Sequence, residues 1–147
     1  MKTSHALLLL AAIGAVRIVQ SERHQRQQNQ VAVTELHHGR LTHLISHPHL
    51  AQDWAPEGMT MEEFARLLSE NAQLVALSLR HRLGLLRGSQ LRFVADAFME
   101  RPTGRLYWKH FGDFRAQEAV GDSCARRFTR ALQDAYVARP ETEPIGV

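Results

Sequence analysis

Five histidines, His37, His38, His43, His47 and His49, fall within 13 residues. Imidazole is a common metal ligand, and two histidines four apart share one face of a helix. His43 and His47 have that spacing. The metalloprotease helix adds a glutamate between its histidines, and here residues 44–46 are Leu, Ile and Ser. No cysteine pair or nearby carboxylate pair completes a ligand set, although Glu35 and Asp53 flank the region. We therefore expect no metal; His43 and His47 are the residues that would supply one. Exposed or helix-capping histidine is the plainer reading. Contact with a partner or a lipid headgroup that responds to pH is another, because imidazole titrates near neutrality.

The second group is aromatic. Trp54, Tyr107, Trp108 and His110 could line a pocket for a small-molecule ligand, with Arg105 and Lys109 nearby. Aromatic residues this dense in a short helix more often build core, with their polar tips wet. Glu63 and Glu70 are seven apart and could form a carboxylate pair, but a solvated helix face explains them more simply. Arg92, Asp96 and Glu100 read as an ordinary charged face. Arg126, Arg127 and Arg130 make a basic patch whose first reading is also a solvated face. Cys124 is the single cysteine and lies on an apolar stripe, so a buried structural thiol is expected and no intrachain disulfide is possible. No nucleophile elbow, phosphate loop or dinucleotide fingerprint is present. No catalytic residue is assigned and no cofactor is expected.

These residues are carried by helices. Residues 20–30, QSERHQRQQNQ, hold no Gly or Pro and read as a polar, helical stalk. Val33, Leu36, Leu41, Leu44 and Ile45 then make an amphipathic stretch, which Pro48 ends. Residues 48–58 form a connector. Thr60-Met61-Glu62-Glu63 is a capping box. Met61, Phe64, Leu68, Ala72, Val75, Leu79 and Leu83 recur at steps of three and four, which predicts one face of a long helix ending at Gly84. Ser89 is the expected N-cap of a third helix that buries Leu91, Val94, Ala95 and Phe98. Pro102-Thr103-Gly104 reads as a turn. A short helix with Tyr107, Phe111 and Phe114 on one side follows. A last helix, capped by Asp122 or Ser123, buries Cys124, Phe128, Leu132 and Ala135. No stretch alternates with period two long enough to be a strand, and no repeat is present.

The 147 residues suit one domain, and 44% hydrophobic with 22% charged residues exclude global disorder. Net charge is +3, and 16 of the 18 basic residues are Arg. Such a surface could meet anionic lipid or nucleic acid, yet no nucleic-acid motif is present, so nucleic acid is not expected as a partner. At the N-terminus, residues 6–16 are uninterrupted ALLLLAAIGAV before Arg17. Residues 3–20 as helix would reach about 27 Å, against a bilayer core of about 30 Å. A membrane anchor, a cleaved signal peptide and a buried helix all fit, and the anchor fits best. Arg17, Arg23 and Arg26 after the run, against Lys2 before it, place the C-terminal domain in the cytoplasm.

Two motifs, Pro48-x-Leu50-x-x-x-Trp54 and Arg82-x-Gly84-Leu85-Leu86, with Tyr107-Trp108 and a final Ala135-Tyr136, give the chain a further likeness. Over residues 25–137 it resembles an uncharacterised actinobacterial (Streptomyces-type) family of short helical proteins with hydrophobic N-terminal helices, a domain of unknown function. The resemblance implies a helical fold and membrane association, and it implies no catalytic residue.

The resulting expectation is an all-α protein. Residues 1–20 form a hydrophobic anchor or signal peptide. Residues 21–139 form a helical domain of four to five helices that includes the stalk. Residues 140–147 form a disordered tail. The expected role is that of a single-pass membrane-anchored interaction or accessory protein, reaching the cell membrane through residues 3–20 and open to a protein partner. The alternative is a small cyclase- or isomerase-like enzyme of a specialised-metabolite pathway, with an aromatic and histidine pocket.

Overall fold

The computed structural model describes residues 2–139, and of residues 2–14 and Asp53 only the element each belongs to. The chain is all-α. Five α-helices and one 3₁₀ segment are present among the described residues, and no strand. In order they are α1 (Lys2–Ser46), the 3₁₀ segment (Pro48–Trp54), α2 (Met61–Arg82), α3 (Gly88–Glu100), α4 (Pro102–Glu118) and α5 (Ser123–Ala138). The tail expected over 140–147 lies outside the described residues.

Local chemistry sets most boundaries. Proline at 48 disfavours the α region for His47, which takes φ −131° and ψ 72°, and α1 stops. The capping box of α2 forms in full. Thr60 Oγ1 accepts from the Glu63 N–H at 3.2 Å, and the Thr60 N–H donates to Glu63 Oε2 at 3.0 Å. At the other end Gly84 adopts φ +80°, where a side chain would be strained. The Gly84 N–H then reaches the His81 carbonyl and the Leu85 N–H the Arg80 carbonyl, each at 2.9 Å, which is a Schellman closure.

Two starts differ from expectation. Arg87, not Ser89, is the N-cap of α3, without a side-chain cap bond. Pro102-Thr103-Gly104 is the first turn of α4 and not a separate turn, because proline fits the first helical position, where its missing N–H is no loss.

The core has two parts that share α2. Leu67 and Leu74 join Leu91, Phe98, Met99, Trp108, Phe128 and Leu132 in a cluster that unites α2 to α5. Phe64, Leu68 and Ala72 join Leu41 and Ala51 in a second cluster, which docks α1 and the 3₁₀ segment on α2. Helix α2 therefore buries a broader stripe than the spacing suggests, because Leu67 and Leu74 lie beside the row of Phe64, Leu68 and Ala72. Val33 and Leu36, expected to pack, are exposed, while Leu41 from the same stretch is buried. Cys124 is free and half-buried. Glu70, read as solvated, is buried. Arg101 grips it through two bonds, of 3.1 and 2.7 Å, and the Thr103 hydroxyl adds one of 2.6 Å.

The membrane reading needs correction. No helix among the described residues is long and apolar enough to cross a membrane. This overturns the single-pass cell-membrane location, the cytoplasmic placement of the domain and the role of a membrane-anchored accessory protein. The physical reason is charge on α1. Its described residues from Ala15 onward carry Arg17, Glu22, Arg23 and Arg26, all exposed. A charged side chain at the centre of a membrane helix costs about 2.5–3.5 kcal/mol. The part of the apolar run from Ala6 to Gly14 lies outside the residues whose side chains are described, as does most of the signal-peptide reading.

Candidate functional site

Gly104 sits in the first turn of α4, where a Cβ would collide with the backbone carbonyl of Phe98. Its lack of a side chain lets α4 lie against the end of α3. This sets Tyr107 edge-on to Phe98, with ring centres 6.4 Å apart at 88°. One turn on, Phe111 lies 5.2 Å from the Tyr107 ring, and Phe114 follows on the same side. Opposite, α2 presents Phe64, Leu67, Leu68 and Asn71, spaced so that all four share a face. The 3₁₀ segment contributes Trp54 and α1 contributes His37. Together these enclose a cleft of about 380 Å³.

The walls and floor of the cleft differ in kind. Trp54 and Phe114 are each 60% exposed. Arg40 stands over the Trp54 ring at 5.2 Å, a cation–π contact that steadies the indole. The inner end is polar. The Tyr107 hydroxyl donates to Asn71 Oδ1 at 2.9 Å and accepts from Arg115 Nε at 3.0 Å. Arg115 Nη2 also bonds Asn71 Oδ1, and Arg115 Nη1 reaches Glu118 Oε2 at 3.3 Å. Burial pushes the Tyr107 phenol above its ordinary range, and the nearby Arg115 charge opposes that shift. The phenol stays protonated at neutral pH and serves as a fixed donor to Asn71.

Of the four residues proposed for an aromatic pocket, the fold brings Trp54 and Tyr107 to one cleft. Trp108 is buried on the other side of α4, where its indole N–H donates to Gln133 Oε1 of α5 at 2.8 Å. His110 is exposed, its ring 6.1 Å from that of Phe111, and it does not border the cleft. Arg105 lies over the Tyr136 ring at 4.6 Å. His43 and His47 are exposed, with ring centres 4.5 Å apart, and His47 Nδ1 lies 3.1 Å from the His43 carbonyl oxygen. No group of three or more His, Cys, Asp or Glu among the described residues is arranged to hold a metal.

Asn71 and Arg115 were not foreseen. Their signal was present, as each is a polar residue continuing an apolar face. Asn71 follows Leu67 by four, and Arg115 follows Phe111 by four.

A larger groove of about 620 Å³ runs between α4 and α5. Its floor is Gly112, Ala116 and Ala119, and its rim mixes Arg126, Arg127 and Arg130 with Asp113 and Asp134. Trp108 adds to that apolar floor, but the rim carries charges of both signs, whose water a bound ligand would have to strip away. The smaller aromatic cleft is the better candidate.

The pattern of a family of unknown function, DUF6082, matches residues 3–146, and the chain belongs to this family. No curated protein and no solved structure matches it.

Proposed function

We propose that this member of DUF6082 is a ligand-binding helical domain whose cleft between α1, the 3₁₀ segment, α2 and α4 takes a small, largely apolar molecule. One observation carries the reading: two large aromatic side chains, Trp54 and Phe114, stand exposed on a cleft that is itself floored by Phe64, Leu67 and Tyr107. An aromatic ring left in water forfeits about 1.5–3 kcal/mol of burial energy. A ligand seated between the two rings recovers part of it from both walls. The volume lies within the roughly 300–1,000 Å³ of small-molecule sites, which are mostly apolar with a few fixed polar groups. The reading assigns binding and no reaction. The actinobacterial character of the family belongs to the same reading, on the Pro48-x-Leu50-x-x-x-Trp54 and Arg82-x-Gly84-Leu85-Leu86 motifs.

Titration with the neutral fluorophore N-phenyl-1-naphthylamine tests it. Saturable binding of one dye per chain is expected. Trp54→Ala or Phe114→Ala should weaken it about tenfold, the equivalent of about 1.4 kcal/mol of lost contact. Phe93→Ala, which removes an exposed ring on α3 away from the cleft, should leave it unchanged. If both cleft variants bind as tightly as the parent, the cleft is not the site.

A further inference from the structure

We infer that the ligand of this cleft is an organic anion, an apolar acid whose carboxylate or sulfonate is received by Arg115. The inference rests on the cleft being the ligand site and adds the chemical class of what it holds.

Arg115 borders the cleft at its polar end, beside Tyr107 and Asn71. A guanidinium carries five N–H donors. Three are spent, on the Tyr107 oxygen, Asn71 Oδ1 and Glu118 Oε2. Two of those acceptors are neutral, and they fix the position of the guanidinium without cancelling its charge. The one anionic partner is weakly placed. Glu118 meets Arg115 at 3.3 Å across one turn of the same helix, and its side chain is 50% exposed. Exposed pairs of this kind contribute little, because water competes for both charges. The Arg115 side chain is only 27% exposed. Its charge is thus partly withdrawn from water and poorly compensated by the protein, and two donors are unspent.

Asn71 and Tyr107 hold the guanidinium in place before any ligand arrives. A carboxylate or sulfonate can then take two parallel N–H bonds through two of its oxygens, which an ammonium could not offer in fixed geometry. The apolar body of the same molecule lies outward between Trp54 and Phe114. Glu118 is the competitor, because its carboxylate draws on the same positive charge and repels an incoming anion. The other charged or titratable side chains at the site are His37, on the cleft wall, and Arg40, over Trp54. Neither adds a negative charge.

Two dyes with one skeleton separate the class from the cleft. 8-Anilinonaphthalene-1-sulfonate is N-phenyl-1-naphthylamine with an added sulfonate, so the pair differs by one anionic group. With the full chain, the sulfonate dye should bind about tenfold tighter than the neutral one, despite being the more water-soluble. Arg115→Gln should abolish that preference and leave the neutral dye bound. Glu118→Gln, at a half-exposed position, should strengthen the sulfonate dye alone, so the inference survives even if Arg115→Gln fails to fold. Equal affinity for the two dyes overturns the anion, and so does a preference that neither variant moves. In both cases the cleft reading stands, provided neutral dye still binds and still depends on Trp54. If neither dye binds in a Trp54-dependent way, both readings fall.

Discussion

Tyr107 is held in the folded core by a bond it can make only while protonated. Its hydroxyl donates to Asn71 and sits below a hydrophobic cover formed with Phe98 and Phe111. Because burial raises the folded-state pKa above the ordinary 10.0, the folded chain keeps this proton longer than the unfolded chain does. The stabilisation is therefore fully present below that ordinary value and is lost as pH rises through the folded pKa. An alkaline titration followed by phenolate absorbance should show one tyrosine ionising late, close to base-induced unfolding. Tyr107→Phe should remove that late component. A titration curve unchanged by Tyr107→Phe would mean the phenol is not buried as described. At this scale the sequence was legible where both partners are near neighbours, as in the Thr60–Glu63 box. It was opaque for Glu70, which has the same side chain as Glu63 and shares its helix. The partners that bury Glu70, Arg101 and Thr103, come 31 and 33 residues later, and no local pattern announces them.

Helix termini decide how the elements meet. Asp122 closes the start of α5, where its Oδ1 accepts from the N–H groups of Cys124 at 2.8 Å and Ala125 at 3.1 Å. Its other oxygen takes Arg82 of α2 at 2.6 Å, so one carboxylate caps α5 and ties it to the end of α2. These bonds, the one from Ala125 foremost, hold the carboxyl below its usual range. A lowered folded pKa means stability present above the ordinary 3.8 and lost as pH falls through the folded value. Asp122→Ala should cost about 1–2 kcal/mol in denaturant unfolding at neutral pH. Asp122→Asn, which can still cap, should cost less and flatten the acid limb of the stability curve. Equal losses for Ala and Asn would locate the effect in the Arg82 pair and not in the cap. Asp122 was readable as a cap because capping is written in adjacent residues. The start of α4 was misread for the opposite reason. Pro-Thr-Gly is ordinary turn chemistry, yet proline fits the first helical position equally well, and the adjacent residues do not choose between the two.

The two core clusters divide the molecule by the way each is held. Helices α2 to α5 share the larger cluster, built around Leu67, Phe98, Met99 and Leu132. Helix α1 lies along α2, with Leu41 buried and Leu44 and Ile45 half-buried beside it, and residues 15–29 are exposed throughout. Val33, Leu36, Leu41 and Leu44 follow one another at steps of three, five and three, which does not say which of them finds a partner. The answer depends on which side of α1 docks on α2, which is a tertiary fact. Opening free energies follow buried contact, so amide exchange should be fastest over residues 15–29, intermediate over 31–46 and slowest in α2 to α5. Leu41→Ala should cost about 2–5 kcal/mol locally and speed exchange in α1 and the 3₁₀ segment while leaving α3 and α5 protected. The cleft spans this joint, since His37 comes from α1 and Trp54 from the 3₁₀ segment, and Phe64, Tyr107 and Arg115 from α2 and α4. The same substitution should therefore weaken dye binding although Leu41 does not border the cleft. If exchange accelerates equally in all five helices, the clusters unfold as one unit. Ligand affinity is then set by global stability, and the docking of α1 plays no separate part.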